Sequence, residues 1–526
     1  MIKYEYKKDW VLYFGLVIAF IGFFVFFTVA HPLYIYDTDD WTYISFSRHA
    51  WPTIGAWNPT RILPETLMPL TAEIGIRFIM PFTGDYIGSM AIAFAIVLSI
   101  AIVTYINGYA KVLKKQFKLN EMEQLLLLAF LIFYHFFPFH EGRSNNQYMF
   151  YGGANVTCVF YYLIPGLINA AMVMYLMTHE ELNWMSKDHL IKKGFIVLLL
   201  YLCINSNMFQ NIILISYIGT KLLISFFRIV CHRKKEYKGK SAYGFKNAIK
   251  VYIKDNIFRL SVLFCWMVSA IIETTGGRAT GISENRSFVQ EIGNAIIVLI
   301  QTITGLRKYY LMSVFLVGLV ALLVYGISKR YKKNTIEKIE DINDSNMDNV
   351  FISALGEELI CLILTCIYLP LLGAATYSSY LWRSTVRFDW MFWVMLMVIT
   401  CLTYIIKKIP YTMLGMPILV YALICESVVD GRTYADHKII QGMRNETIKE
   451  LDENIIRQVK EAEAIGFDSV QVLVPVHYSD EWPVNVYYGG ERISLTLFLH
   501  GITNELMEIK LVPDQSINDE FYIPKG

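Results

Sequence analysis

Apolar runs of about 20 residues recur along the chain, and this repetition limits the fold more than any other feature. A run of that length crosses the roughly 30 Å hydrocarbon core of a bilayer as one α-helix. The chain is 55% hydrophobic and only 17% charged, whereas soluble domains carry about 25% charged residues. The sequence therefore predicts an all-α polytopic membrane protein.

We predict eleven membrane spans, at 10–31, 86–110, 123–138, 155–177, 193–208, 209–230, 257–274, 309–328, 352–374, 389–406 and 410–427. The first run follows lysines, as in a signal peptide, but it is too long for one and no small-residue cleavage site follows. We interpret it as a retained span. The eight cysteines lie mostly in or beside apolar runs and do not form a disulfide pattern.

Basic residues predict the orientation, because they are retained on the cytoplasmic side of a membrane. Lysines cluster in alternate connecting segments, and the stretch from His31 to Tyr86 has none. We therefore expect a multi-pass protein of the cytoplasmic membrane, with the N-terminus inside and the C-terminus outside. An odd number of spans agrees with that arrangement.

The loops placed outside contain arginine with almost no lysine. Arginine binds phosphate or carboxylate in two-point fashion, whereas lysine acts as a point charge. This favours anion recognition at the outer face, although the arginines can equally fill structural ion pairs. Three outer stretches, 41–51, 64–81 and 287–306, have apolar residues at helical spacing and are predicted to lie in the membrane interface.

The composition changes after the last span, so we divide the chain into a transmembrane domain (1–427) and an outer α+β domain (428–526). We predict a charged helix at 446–466 from apolar residues at three-to-four spacing. Strands are predicted at 469–475, 492–500 and 506–512 from alternating patterns.

Three carboxylates within four positions directly follow the first span, in Tyr36-Asp37-Thr38-Asp39-Asp40-Trp41-Thr42-Tyr43. Neighbouring carboxylates at a low-dielectric boundary repel one another, which raises the pKa of at least one. Such a group can accept a proton from an alcohol, and Tyr43 is a candidate for binding the substrate. The alternative is that an aspartate only caps a short helix.

Other polar groups in the outer loops are candidates for substrate binding. Arg61 can bind a phosphate and Glu65 a sugar hydroxyl, or the two can pair with each other. His140, Glu141 and Arg143 belong to a polar stretch that can line a sugar site or form a plain surface loop.

Two arginine pairs, Arg278 with Arg286 and Arg383 with Arg387, can bind a lipid-linked phosphate or contact lipid headgroups generally. Near the end of the chain, a turn from His477 to Pro483 combines aromatic and acidic residues that can touch a carbohydrate. A surface turn is the alternative there. One histidine with mixed acids is a weak metal signal, and we assign no metal site.

The chain resembles the GT-C glycosyltransferases, polytopic enzymes that take a sugar from a polyprenyl-phosphate donor. The bacterial glucosyltransferase-domain branch is most similar. The acidic motif from Tyr36 to Tyr43 carries the resemblance, with Ser479-Asp480-Glu481-Trp482-Pro483 and Leu499-His500-Gly501-Ile502-Thr503 near the end. The resemblance implies that Asp39 is the base and Asp40 a helper, with Asp37 as a rival.

The resemblance implies an inverting transferase that moves a monosaccharide from a polyprenyl-phosphate donor to a cell-surface glycan, and we expect this function. One base and cations suffice for a phosphate leaving group, so no cofactor is expected, although some GT-C branches use a divalent metal. No nucleic-acid partner is expected. The alternatives are a transporter or flippase of a lipid-linked saccharide and a non-catalytic subunit of a cell-envelope assembly.

Overall fold

The computed structural model describes residues 10–138, 156–179, 190–236, 245–280, 288–334, 342–429, 445–476 and 483–523. Helices dominate these segments. Among the described residues, eight helices are long and apolar enough to cross a membrane. The prediction of an all-α polytopic membrane protein is confirmed at that level.

The eight helices coincide with eight of the eleven predicted spans; they are Trp10–Ala30, Tyr86–Phe117, Val156–Thr178, Ile212–Ile229, Ile249–Glu273, Lys308–Arg330, Met347–Ala375 and Val386–Lys408. The predicted spans at 123–138, 193–208 and 410–427 fall on shorter helices. Their helical parts are 14 or 15 residues long, below the roughly 20 residues that a span needs. The count of eleven stays a prediction.

The elements are numbered in chain order. The first six helices are α1 (Trp10–Val25, continued by a π-helical turn at Phe26–Ala30), α2 (Thr38–Tyr43), α3 (Ile62–Ile74, continued at Gly75–Ile79), α4 (Met80–Thr83), α5 (Tyr86–Phe117) and α6 (Glu121–Tyr134). The next six are α7 (Val156–Cys158, continued at Val159–Leu163), α8 (Ile164–Thr178), α9 (Leu190–Ile204), α10 (Ile212–Glu236), α11 (Phe245–Glu273) and α12 (Gly277–Thr280).

The remaining membrane helices are α13 (Phe288–Thr304), α14 (Lys308–Asn334), α15 (Ile342–Ala375), α16 (Ser384–Lys408) and α17 (Met416–Val429), with 3₁₀ turns at Ser378–Trp382 and Pro410–Gly415. The C-terminal elements are α18 (Asn445–Ala464), β1 (Ser469–Val474), α19 (Gly489–Leu499), β2 (Glu508–Pro513) and α20 (Gln515–Glu520).

Basic side chains collect at one end of the bundle, which we call the lysine end. Lys115 near the end of α5 donates to the carbonyl of Met177 in α8 at 3.0 Å. Lys407 near the end of α16 pairs with Glu123 at the start of α6 at 2.7 Å. Cations complement the partial negative charge of helix C-termini, so these residues suit the positions where α5 and α16 finish.

The opposite end, which we call the aspartate end, carries α2. Here α5 begins, capped by Asp85, whose side chain accepts from the backbone N–H of Gly88 at 2.7 Å. The C-terminal end of α11 also lies here. Its last residue, Glu273, accepts from the backbone N–H and the hydroxyl of Thr60 at 3.1 and 2.6 Å. The lysines and α2 are therefore separated by the length of the bundle.

The C-terminal elements form a small α+β unit around two parallel strands, with Ser469 of β1 opposite Glu508 of β2. The predicted helix and the strands at 469–475 and 506–512 agree with α18, β1 and β2. The predicted strand at 492–500 is wrong, because this segment belongs to α19. Ile493 and Leu497 are both buried at helical spacing, so a four-residue period overrides the apparent alternation.

The three stretches predicted as interfacial helices have different outcomes. Helices occupy most of 64–81 and 287–306, as α3 with its continuation, α4 and α13. The prediction for 41–51 is wrong beyond Tyr43. Arg48 donates there to the carbonyls of Asn58 and Pro59 at 2.5 and 2.8 Å, and these contacts hold the chain in a non-helical path.

Candidate functional site

The carboxylate of Asp37 caps α2, accepting from the backbone N–H of Asp40 at 3.2 Å. Its backbone is extended, as is usual for an N-cap residue. The capping interpretation of the acidic motif is therefore correct for Asp37, and the other two aspartates belong to the helix that it starts.

The carboxylate of Asp40 is completely buried and joins the stretch from Tyr36 to Asp40 to the start of α7. One oxygen accepts from the backbone N–H groups of Tyr36 and Val156 at 2.9 and 3.1 Å. The other accepts from the backbone N–H and the hydroxyl of Thr157 at 2.6 and 2.7 Å. Burial raises the pKa of Asp40, and these hydrogen bonds oppose the rise. Asp40 thus caps α7 and fixes α2 against the start of a membrane span.

The C-terminal unit packs on the same short helix. The hydroxyl of Thr496 in α19 donates to the carbonyl of Trp41 at 2.6 Å and lies 2.7 Å from the hydroxyl of Ser45. The backbone N–H of Asn485 donates to the hydroxyl of Thr38 at 2.5 Å. A folded unit from the far end of the sequence therefore helps to hold α2.

Asp39 is the member of the motif whose side chain is open to solvent. Protein atoms still surround it, and the resulting loss of water raises the pKa of its carboxyl. Positive charges on Arg278, Arg383 and Arg61 act on it and oppose that rise. Solvent access combined with desolvation is typical of a group that lines a cleft.

Arg61, whose charge acts on Asp39, lies at the start of α3 and is largely buried, with 9% of it exposed. Its guanidinium lies 5.6 Å from the centre of the Tyr161 ring. The Tyr161 ring is 4.8 Å from that of Tyr43, whose pKa is raised by burial and by the charge of Asp39. Two tyrosines thus form one wall beside Arg61.

Backbone contacts bring Arg278 next to the same loop. The backbone N–H of Arg278 donates to the carbonyl of Trp57 at 3.3 Å, and that of Gly277 donates to the carbonyl of Ala56 at 3.1 Å. A Cβ atom on Gly277 would lie 3.1 Å from the Trp57 ring. The close approach therefore favours glycine at this position.

Tyrosines orient Arg278 and Arg383. Arg278 donates to the hydroxyl of Tyr380 at 2.6 Å, and Arg383 donates to the hydroxyl of Tyr162 at 3.1 Å. The guanidinium of Arg383 also lies 4.6 Å from the centre of the Tyr380 ring. Such contacts fix a guanidinium group and leave its charge uncompensated.

Within the described segments, no carboxylate forms an ion pair with Arg61, Arg278 or Arg383. Glu65 pairs instead with Arg48 at 2.8 Å, where both side chains are buried, and accepts from the amide of Asn58 at 3.0 Å. The alternative in which Arg61 and Glu65 pair is therefore wrong. We define Asp39 with Arg61, Arg278 and Arg383 as the charged cluster.

The remaining arginines and the polar loop residues predicted for the site have different outcomes. The guanidinium of Arg387 lies against Trp382, donating to its carbonyl at 2.6 Å. His140, Glu141, Arg143 and Arg286 lie outside the described residues, as do Ser479 to Trp482 of the C-terminal motif. In the part of the chain that the structure describes, no group of three histidine, cysteine or acidic side chains is arranged to hold a metal ion.

Sequence reasoning did not assign roles to Arg48, Tyr161, Tyr162 and Tyr380. Arg48 neutralises Glu65, and the tyrosines orient the arginines. The adjacent pair Tyr161-Tyr162 near the start of a span was an available signal, since aromatic side chains suit a membrane interface. Nothing in the sequence shows that this pair approaches Tyr380 and Arg61.

Comparison of the chain with protein-family models, curated proteins and solved structures finds no significant match.

Proposed function

We propose that the protein is a membrane glycosyltransferase of the GT-C type. It moves a monosaccharide from a polyprenyl-phosphate donor to a cell-surface glycan at the outer face of the cytoplasmic membrane. The observation that carries this proposal is the charged cluster, in which the solvent-accessible carboxylate of Asp39 interacts electrostatically with three guanidinium groups that have no carboxylate ion-pair partner in the described segments.

The reaction needs a base and a sink for negative charge, and the cluster offers both. Asp39 accepts the proton of the acceptor hydroxyl as its oxygen attacks the anomeric carbon. The bond from that carbon to the phosphate oxygen breaks, and its electron pair leaves with the phosphate. Arg61, Arg278 and Arg383 stabilise the leaving charge, as fixed cations do in a water-poor site. A single displacement inverts the anomeric carbon.

Asp40 has a positioning role in this proposal, because its oxygens accept hydrogen bonds from Tyr36, Val156 and Thr157. It holds Asp39 at the mouth of the cleft. Tyr43 forms part of the wall that faces the sugar, while Glu65 and Arg48 brace the loop that carries Arg61.

The separation of the two ends of the bundle supports the proposed orientation. Lys115 and Lys407 lie at the lysine end, which we assign to the cytoplasm from the distribution of basic residues, and the charged cluster is then outside. The helix α6 starts at the lysine end, where Glu123 pairs with Lys407. Beyond its other end, the carbonyl of Pro138 accepts from the backbone N–H of Arg307 at the start of α14. The far part of α14 lies at the lysine end, since Ser328 accepts from Lys408 at 3.2 Å. This path supports a crossing by α6 and hence the higher span count.

The C-terminal unit would then be an extracytoplasmic domain. Its contacts with Trp41, Ser45 and Thr38 support a position next to α2, which carries Asp39. In this arrangement it can bind the acceptor glycan while it supports α2.

The test is Asp39→Asn in cells that carry the protein, with the surface glycan analysed by mass spectrometry and NMR. Removing the base should reduce the amount of the transferred sugar on the surface glycan by about 100-fold or more, while the level of the protein in the cells stays unchanged. Asp519→Asn, on the exposed surface of α20, is the matched control and should leave the glycan intact. Normal glycosylation by Asp39→Asn would reject catalysis and favour a non-catalytic subunit.

Transport of a lipid-linked saccharide is a second candidate, supported by Asp389. This residue lies in the membrane span of α16, is completely buried, and has no hydrogen-bond partner for either oxygen among the described residues. Acids inside the membrane often mark transport pathways. If Asp389→Asn stops export of lipid-linked sugar while Asp39→Asn does not affect the glycan, transport is the better account.

A further inference from the structure

A cavity of about 460 Å³ opens between α9 and α11. Both helices contribute apolar side chains along its length, among them Val197 and Leu200 from α9 and Phe258, Val262 and Phe264 from α11. We call this cavity the α9–α11 groove. Its volume lies in the range of about 300–1,000 Å³ that is typical of small-molecule sites.

The groove runs along a membrane span, because α11 includes the apolar helix Ile249–Glu273. Val197 and Phe264 are 51% and 61% exposed at its edges, so it is open to the side. In a bilayer this opening faces hydrocarbon, and a hydrocarbon chain can enter from the lipid without crossing water.

One end of the groove meets the segment that carries Arg61. Tyr201 lines the groove and donates its hydroxyl to the carbonyl of Ala50 at 2.6 Å. Asn205 also lines it, and its carbonyl accepts from the backbone N–H of Leu63 at 3.0 Å. Leu63 is two residues from Arg61, so the groove ends beneath the start of α3.

The other wall leads to the same place. Ile272 lines the groove at the end of α11, and the next residue, Glu273, binds Thr60 directly before Arg61. The chain then turns through Gly277 to Arg278. Both walls of an apolar groove therefore finish at segments that carry guanidinium groups, Arg61 and Arg278, which form no ion pair among the described residues.

We propose that the α9–α11 groove binds the hydrocarbon chain of the lipid-phosphate donor while Arg61 and Arg278 bind its phosphate. The inference rests on the proposed function and adds to it the route by which the donor chain enters. A long chain with an anionic head matches a groove that is apolar along its length and bordered by cations at one end. The groove would thus select donors by chain length as well as by phosphate.

The first experiment fills the groove far from the phosphate end. Ser261 lines it and is exposed, and it lies 11 residues from Ile272, about 16 Å along the helix axis. Ser261→Trp should raise the apparent Kd of a donor with a chain of ten or more isoprene units by at least tenfold. A donor with two isoprene units does not reach this depth, and its Kd should stay unchanged.

The matched control is Met267→Trp, which places the same side chain on an exposed position of α11 that does not line the groove and points about 120° away from Ser261. It should bind both donors as the unmodified protein does. Equal Kd values for the long donor in Ser261→Trp and Met267→Trp would overturn the proposal. If Ser261→Trp weakens the binding of both donors to the same extent, the damage lies away from the groove, and this result would also overturn the proposal.

The second experiment maps the chain without catalysis. A sugar-free polyisoprenyl phosphate with a diazirine about 16 Å along its chain from the phosphate, the distance from Ile272 to Ser261, is cross-linked to the protein in lipid nanodiscs, and labelled peptides are identified by mass spectrometry. Labels should concentrate in 195–204 and 258–272 and should fall at least fivefold in Ser261→Trp. Even labelling of all lipid-facing helices would show contact with bulk lipid only and would contradict the proposal.

The two proposals can fail separately. Asp39→Asn should keep the cross-linking pattern, because the probe is not turned over. Labelled groove peptides together with normal glycan in Asp39→Asn would retain the groove and reject the transferase. If Asp39→Asn loses the glycan modification and the groove peptides are not labelled, the transferase is retained and the groove is rejected.

Discussion

Asp37, Asp39 and Asp40 are near neighbours in the sequence, but their carboxylates meet different surroundings. Asp37 caps α2, and Asp40 accepts hydrogen bonds from three residues in the interior. Asp39 faces solvent and the three arginines. Because α2 is a helix, consecutive side chains point about 100° apart, and one turn can direct one acid inward and its neighbour outward.

Asp40→Asn should destabilise the protein, unlike Asp39→Asn. An amide group would place N–H donors against the N–H groups of Tyr36, Val156 or Thr157, which leaves buried groups unsatisfied at about 1–3 kcal/mol. Thermal unfolding in detergent should show a lower Tm for Asp40→Asn, while Asp39→Asn, at an exposed site, should change stability by less than about 0.5 kcal/mol. Equal Tm values for the two variants would contradict the structural role of Asp40.

Replacing a cluster arginine by glutamine should weaken donor binding. Hydrogen bonds to charged groups contribute about 1.5–3 kcal/mol, so Arg61→Gln, Arg278→Gln and Arg383→Gln should each raise the donor Kd by about 10- to 150-fold. Binding is measured by titrating the sugar-phosphate lipid into protein in nanodiscs.

Arg387→Gln is the control for these variants, because Arg387 lies against Trp382. Its donor Kd should change by less than about threefold. If Arg387→Gln weakens binding as much as the cluster variants do, the phosphate site has been placed wrongly.

At the scale of elements, α2 is too short to be stable by itself, since isolated helices shorter than about 12–15 residues are marginal in water. The start of α7 holds it through Asp40, and α19 holds it through Thr496. A site on such an element depends on its supports for a fixed geometry.

Thr496→Val should therefore slow catalysis more than it weakens donor binding. The change removes the hydroxyl that donates to Trp41 and contacts Ser45. We expect kcat to fall about tenfold, as for small displacements of a catalytic group, with the donor Kd unchanged. Steady-state kinetics and binding titrations separate the two quantities.

Ser494→Ala provides the comparison, since Ser494 donates to the carbonyl of Met507 inside the same unit and does not contact α2. It should leave kcat unchanged even where it lowers Tm. A similar loss of kcat in both variants would show that general damage to the C-terminal unit, and not the contact with α2, slows the reaction.

The sequence was informative about elements where one period dominates. Long apolar runs predicted eight spans that coincide with long helices, and three-to-four spacing predicted α18. It failed at 492–500 and at 44–51, where the outcome depends on contacts with distant segments. Gly490, for example, lies so close to the carbonyl of Ile509 in β2 that a Cβ atom would not fit.

The sequence identified individual site residues, but it did not show how they are grouped. The motif identified Asp39, and the preference for arginine at the outer face identified Arg61, Arg278 and Arg383 as candidates. Their grouping around Asp39 could not be predicted, because it is produced by backbone contacts between the loop at 55–60 and the segment after α11. Likewise, only the fold shows that Glu65 pairs with Arg48.

At the scale of the whole molecule, His500 joins the C-terminal unit to the membrane bundle. Its ring lies 2.6 Å from the hydroxyl of Tyr86 at the start of α5. Burial lowers the pKa of His500 from 6.5 to about 4, while Glu73 raises it and Arg77 lowers it further. The folded protein therefore holds this histidine neutral across the mildly acidic range.

Stability should fall as the pH drops from 6.5 to 4. In that interval the unfolded chain binds a proton at His500 and the folded chain does not, so acid favours unfolding. The free energy of unfolding should fall by about 3 kcal/mol in total, since the pKa of His500 differs between 6.5 in the unfolded chain and about 4 in the folded protein. Tm measured between pH 7 and pH 4.5 should fall less steeply for His500→Gln than for the unmodified protein.

His49→Gln is the control, since this exposed ring stacks on Trp51 at 5.1 Å. Its Tm should follow the pH dependence of the unmodified protein. An unchanged pH dependence in His500→Gln would contradict a neutral, buried His500.

The most direct test of the account is donor binding and turnover measured together on purified Asp39→Asn in nanodiscs. Asp39 is the negative charge beside three guanidinium groups that would bind the phosphate, so its neutralisation should leave the donor Kd unchanged or tighter. Turnover should fall by about 100-fold or more. Weaker donor binding with proportionate turnover, or normal turnover, would contradict the assignment of Asp39 as the base in an arginine-lined phosphate site.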